Sequence, residues 1–197
     1  MGKQGGLIPA VAVRGIATGL LMMAFFTLVW TGIAYSGMHG TAYAYLLIVF
    51  PLLAVSFVAR AFILFKTAKT HPAPNEKEKE EGKKMGKWFG IIFGAEGVLI
   101  FLGVNVVINI GQPRLVIPVI ALVVGLHFFP LAKVFKRTID YYLAAWSTAI
   151  AVIAIILIIN HTLSASDAAA FTGTGLAAAT SCYGLFMIYK GNHLDSY

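Results

Sequence analysis

The chain has 197 residues, of which 59% are hydrophobic and only 12% are charged, and its mean hydropathy is +0.83. Soluble domains are about half apolar and about a quarter charged, so these values exclude an ordinary soluble protein and indicate a membrane protein. The net charge of +7 does not indicate a nucleic-acid partner, because the basic residues cluster beside apolar segments without any recognition motif. A single cysteine, Cys182, excludes an intrachain disulfide, and no Cys/His spacing suggests a metal or a cofactor.

Six apolar segments follow one another along the chain, at about 7–35, 42–65, 88–110, 114–135, 140–160 and 167–189. Each has about 20 residues or more, which is enough for a helix to cross ~30 Å of hydrocarbon. The runs are too long for strands and show no alternation of apolar and polar residues. The sequence therefore predicts an all-α protein in which residues 1–197 form one compact bundle of six transmembrane helices in contact with the lipid bilayer.

The only long connection between these segments is the charged stretch 66–87, which contains two prolines and then the run EKEKEEGKK. Mixed charge without apolar residues is typical of a solvated, mobile loop or of a short exposed helix. We expect no chemistry from this loop.

Basic residues fix the predicted orientation. Of the 15 lysines and arginines, all but Arg60 and Arg114 lie on one side of the predicted bundle, at its two termini and in the loops after the second and fourth segments. Cytoplasmic loops carry such an excess. We therefore predict a multi-pass membrane protein with both termini in the cytoplasm.

Glu96 is the acidic residue that lies well inside an apolar segment, the one from Trp88 to Ile110. A carboxylate at that depth costs roughly 2.5 kcal/mol or more on insertion scales and requires a partner or a hydrated cavity. At ~1.5 Å per residue, Arg14, Arg60 and His127 are expected at a similar depth, roughly 9–12 Å from the cytoplasmic ends of their helices. These four residues are the candidate ligand, proton or ion site.

Each of these residues also has a structural interpretation. Arg14 and Arg60 can extend to the headgroups, as long basic side chains do, and a buried Glu–Arg or His contact can serve packing alone. Pro130, close after His127, frees a helix carbonyl, which is consistent with either a hydrated pocket or simple helix bending. Weaker candidates are Asn105, which is expected to bond across helices, and Trp146 and Tyr183, either of which could line a cavity.

Two motifs resemble those of a known family. Ala95-Glu96-Gly97 follows Gly86-Lys87-Trp88-Phe89-Gly90, and Gly125-Leu126-His127-Phe128-Phe129-Pro130-Leu131-Ala132 lies in the next segment. They are similar to the "AEG" and "GLHFxPLA" helices of small six-helix bacterial integral membrane proteins of uncharacterised function. The resemblance implies a multi-pass protein of the bacterial inner membrane and transfers no activity.

Three functions are compatible with this sequence. The first is a protein that binds or transports a small molecule or ion through a cytoplasm-facing polar pocket. This hypothesis favours a protein that is not an enzyme. The second is a membrane enzyme that acts on a lipid or isoprenoid with Glu96 and His127 as an acid–base pair, for which no catalytic residue is otherwise evident. The third is a non-catalytic assembly or sensor subunit, for which a second copy or another membrane protein would be the partner.

Overall fold

Six long helices run up and down through the computed structural model, which describes residues 9–193. Their bounds are α1 Ala10–Met38, α2 Val49–Thr67, α3 Glu76–Asn109, α4 Val116–Phe135, α5 Thr138–Ile159 and α6 Ala165–Asn192. Short 3-10 turns, Ala42–Ile48 and Pro113–Leu115, lead into α2 and α4, and residues 9–193 contain no strand. All six helical segments are long and apolar enough to span a membrane. The predicted fold class is thus confirmed, and the chain is a multi-pass membrane protein.

Consecutive helices run in opposite directions, so the two ends of the bundle contain different helix termini. At one end α1, α3 and α5 begin and α2, α4 and α6 end, and most lysines and arginines lie there. We call it the basic end. At the opposite end Arg114 Nη1 lies 3.4 Å from His161 Nδ1, which links the turn before α4 to the turn after α5.

Helix α1 packs along α6 and α2, while α4 packs along α5. Small residues allow the α1–α6 pair to approach closely, because a Cβ atom at Gly173 would lie 2.5 Å from the Ala34 backbone nitrogen. Gly184 leaves room for the fully buried ring of Phe57 on α2 in the same way. In lipid the hydrophobic effect does not drive apolar helices together, so close van der Waals packing of this kind stabilises the bundle instead.

Helix α3 begins at Glu76, twelve residues before the predicted apolar segment. Asn75 caps it: its side chain accepts from Glu78 N at 2.9 Å, and Glu78 Oε2 accepts from Asn75 N at 2.8 Å. This reciprocal capping satisfies two free amides at the helix start. For the charged stretch 66–87, the two alternatives were a solvated loop and an exposed helix. Most of the stretch is exposed helix, which continues directly into the apolar span.

The same helix is the least enclosed of the six, with only 11% of its most apolar stretch buried. Helix α3 packs extensively against α4 and also contacts the 3-10 turn before α4. It stands away from α1 along much of its length. This arrangement leaves a space between α3 and the α1–α6 pair, and that space is central to the site described below.

Candidate functional site

Glu96 and His127 meet across the α3–α4 interface. Glu96 Oε1 lies 3.3 Å from His127 Nδ1, and only 8% of each side chain is exposed. The contact does not have standard hydrogen-bond geometry, since Nδ1 of His127 has no hydrogen-bond partner within the described residues. The sequence placed these two groups at the same depth, and the packing of α3 on α4 brings them into contact.

Aromatic side chains surround the imidazole. The His127 ring lies 4.3 Å from the ring of Phe128 and 5.4 Å from that of Phe93, centroid to centroid. The backbone carbonyl of Val124, one turn earlier in α4, is also within reach of the ring. Helix α4 continues through Pro130 to Phe135. Because proline cannot donate, the carbonyl of Leu126 has no amide partner from Pro130 in the turn that carries His127.

Arg14 and Arg60 do not join this pair. Arg14 is exposed on α1. Arg60 donates from Nη2 to the carbonyl of Gly191 at 3.2 Å, near the end of α6, and its Nε is buried without a partner. The predicted four-residue layer is therefore a Glu–His pair with two arginines directed elsewhere, because depth along a helix leaves rotation about its axis undetermined.

The three weaker candidates have different environments. Asn105 is exposed on α3 and donates from Nδ2 to Phe101 O of its own helix at 2.7 Å, rather than to another helix among residues 9–193. Trp146 is half exposed, donates from Nε1 to Gly175 O on α6 at 2.9 Å, and does not line the cavity that Tyr183 lines. Tyr183 is 5% exposed and does line a cavity.

That cavity, about 800 Å³ in volume, lies between α1, α3, α4 and α6. Its walls are mainly aliphatic and aromatic, and Glu96 and His127 both line it. Outer lining residues such as Val11 (40% exposed) and Met85 (41% exposed) show that it is open towards the basic end. A volume of this size and a mostly apolar wall are typical of small-molecule sites.

At the inner end of the cavity, deeper than Tyr183, little other hydrogen-bonding capacity is free. The Thr180 hydroxyl, which also lines it, accepts from Thr27 Oγ1 at 2.9 Å and donates to carbonyls of its own helix. The Glu96 carboxylate and the His127 imidazole therefore provide the polar atoms with capacity to spare. Between them they can accept a hydrogen bond, donate one, or exchange a proton.

A second polar cluster, which the sequence analysis missed, lies where α5 begins. Arg137 donates from Nη1 to the Tyr183 hydroxyl at 2.9 Å, and its guanidinium lies 4.7 Å from the centre of the Phe135 ring. Asp140 is 1% exposed and close enough to interact with both Arg137 and Tyr183, although neither carboxyl oxygen accepts a hydrogen bond of standard geometry. The pattern in the sequence that could have predicted this cluster is the pair Arg137 and Asp140, three residues apart at a helix start.

No group of three or more His, Cys, Asp or Glu side chains in residues 9–193 could hold a metal ion. Comparison with known proteins adds no further assignment: no family model, curated protein or solved structure matches this chain. The geometry of the cavity itself is therefore the evidence for what this protein does.

Proposed function

We propose that this membrane protein binds a lipophilic small molecule that carries a hydrogen-bonding group, and that it holds this molecule in the cavity between α1, α3, α4 and α6. The observation that supports this proposal is that the buried Glu96–His127 pair lines an apolar cavity of about 800 Å³. A purely structural pair would be expected in a sealed interface, where no space remains beside it.

The wall chemistry defines the class of ligand. Aromatic rings of Phe89, Phe93 and Phe128 offer an apolar surface, so the body of the ligand is hydrocarbon or aromatic. At the inner end, a hydroxyl or an amine can donate to Glu96 while His127 donates to or accepts from the same group. A ligand without such a group would leave the buried pair unsatisfied, which costs about 1–3 kcal/mol.

The position of the opening extends the proposal from binding to transport. The cavity opens at the basic end, which we predict from the distribution of lysine and arginine to face the cytoplasm. Helix α3 packs extensively against α4 and stands off from α1, so a lipophilic molecule has a short path between the bilayer and the cavity. The protein would thus exchange its ligand between the membrane and the cytoplasmic side.

The test compares thermal stability of the purified protein with and without decanol, decylamine and decane. We expect the alcohol and the amine to raise the melting temperature of the wild type, because a ligand that binds only the folded state stabilises it. Glu96→Gln should respond much less, while Glu80→Gln, an exposed position outside the cavity lining, should respond like the wild type. Decane should show no such difference between variants.

A different result would contradict the proposal. If no probe shifts the wild type, and Glu96→Gln alone lowers stability by about 3 kcal/mol, the pair is a structural contact. The protein would then be better described as an assembly or sensor subunit.

A membrane enzyme is the second candidate, and the 3.3 Å separation between Glu96 and His127 favours it. A carboxylate and an imidazole at this distance, beside a cavity open to lipid, can act as a general acid–base pair. The fate of a bound isoprenoid or lipid separates the two functions. An enzyme would convert a bound isoprenoid or lipid and lose turnover with retained binding in His127→Gln, whereas a binding protein would return its ligand unchanged.

A further inference from the structure

Arg137 provides a second polar group in the same cavity, nearer to its opening. It lines the cavity together with Tyr183, while Asp140 lies behind it, outside the lining. One guanidinium nitrogen is occupied by the Tyr183 hydroxyl. The other N–H groups make no hydrogen bond within the described residues, and Lys190 lines the cavity on the same side, with Nζ 5.9 Å from the centre of the Phe186 ring.

Asp140 and Tyr183 fix the guanidinium in place rather than fill its binding capacity. The Asp140 side chain is enclosed, does not line the cavity, and interacts electrostatically with Arg137. The Phe135 ring, 4.7 Å from the guanidinium carbon, supports one face of the group. A positioned guanidinium with free N–H groups is well suited to a carboxylate or a phosphate, which it can bind with two parallel hydrogen bonds.

The two polar sites lie about 10 Å apart along the helices. The rings of Phe89 and Phe135 pack together at 6.1 Å and mark the level of Arg137, which covers Phe135. Glu96 is seven residues further along α3 than Phe89, and seven residues of helix correspond to about 10 Å. Phe93 on α3 and Phe128 on α4 line the cavity between these levels.

We propose that the ligand is an elongated amphiphile with an acidic group bound by Arg137, an apolar body between, and a hydroxyl or amine at Glu96–His127. This inference depends on the proposed function and specifies the class of ligand. Glu78 and Glu81 also line the cavity, but they lie on the part of α3 that precedes Phe89 by eleven and eight residues. Their charges are therefore about 12–16 Å further out than the level of Arg137.

The experiment measures binding of four probes to the full chain in phosphatidylcholine nanodiscs by calorimetry. The probes are ω-hydroxydecanoate, which has both polar groups, decanoate, decyl phosphate, and decanol, which has no acidic group. We expect ω-hydroxydecanoate to bind about tenfold more tightly than either decanoate or decanol. Each of these two probes lacks one of its polar groups and therefore loses one hydrogen bond to a charged side chain. Decanoate and decyl phosphate distinguish a carboxylate from a phosphate as the preferred acid.

The informative variant is the double substitution Arg137→Gln with Asp140→Asn, because it removes both charges and leaves no buried carboxylate alone. It should lower the affinity for ω-hydroxydecanoate about tenfold and leave decanol unchanged. Lys136→Gln, exposed, adjacent and outside the cavity lining, is the matched control and should bind like the wild type.

The outcomes separate the two proposals. Suppose that decanol binds through Glu96, that the acidic probes bind no more tightly than decanol, and that the double variant binds every probe like the wild type. The ligand-class inference is then overturned while the proposed function stands. If no probe binds, both are overturned. An acidic group could also come from a bilayer lipid, so phosphatidylglycerol is added to the nanodiscs. If it abolishes the preference for ω-hydroxydecanoate, the opening is a lipid-headgroup site and the inference is overturned.

Discussion

Glu96 on α3 and His127 on α4 lie 3.3 Å apart, Oε1 to Nδ1, at the inner part of a cavity that opens towards the basic end of the bundle. Helix α3 has its extensive packing against α4 and little against other helices. The pair is thus a polar contact within the main interface that holds α3 in the bundle, and its strength can be measured.

A double-mutant cycle should detect this contact. We expect Glu96→Gln and His127→Gln to be non-additive by about 1 kcal/mol in free energy of unfolding, because residues in direct contact couple by about 0.5–3 kcal/mol. Unfolding of the four proteins in detergent micelles gives the cycle. Additivity within about 0.3 kcal/mol would mean that the two groups do not interact.

Arg137 should stabilise the bundle through Asp140. Arg137→Gln alone leaves an enclosed carboxylate without its cationic partner, which we expect to lower the free energy of unfolding by about 3 kcal/mol. Adding Asp140→Asn to the same chain should recover much of this loss. A double variant less stable than Arg137→Gln would show that Asp140 is held by something other than Arg137.

The α1–α6 contact should be sensitive to one methyl group. Gly173→Ala places its Cβ 2.5 Å from the Ala34 backbone nitrogen, and backbone cannot shift as cheaply as a side chain, so we expect a loss of about 1–3 kcal/mol. Gly97→Ala on α3 meets nothing within 4 Å and serves as the control. It should be neutral or slightly stabilising, by up to about 1 kcal/mol, because alanine is the better helix former. Equal effects at the two positions would argue against close α1–α6 packing.

The charged start of α3 should depend on its cap. We expect Asn75→Ala to cost about 1 kcal/mol locally, because it removes the acceptor for Glu78 N. Faster amide exchange confined to residues 76–87 would report this loss, whereas Lys77→Ala, an exposed position in the same turn, should leave exchange slow. Unchanged exchange in Asn75→Ala would show that the extension is held by other contacts.

The cytoplasmic position of the basic end remains a prediction from charge, and cysteine labelling tests it. In a Cys182→Ser background, Lys77→Cys lies at the basic end and Thr162→Cys at the opposite end, and both positions are exposed. An impermeant maleimide added to intact spheroplasts should label Thr162→Cys and spare Lys77→Cys. The reverse pattern would invert the orientation and place the cavity opening outside the cell.

The sequence by itself determined the number of spans, the all-α class and the unusual status of Glu96. These properties are local: about 20 apolar residues specify a membrane helix wherever they occur, and a carboxylate inside such a run is costly in any arrangement. Depth could also be read from the sequence, since it follows from counting residues from the end of a span, and Glu96 and His127 do meet.

Only the tertiary structure decided which way each side chain faces. The spans are apolar on nearly every side, so their sequences specify rotation about the helix axis weakly. Packing of small residues such as Gly173 and Gly184 against neighbouring helices sets it instead. That rotation directs Arg14 and Arg60 away from Glu96, joins Arg137 and Asp140 at the start of α5 to Tyr183 on α6, and leaves the cavity beside α3.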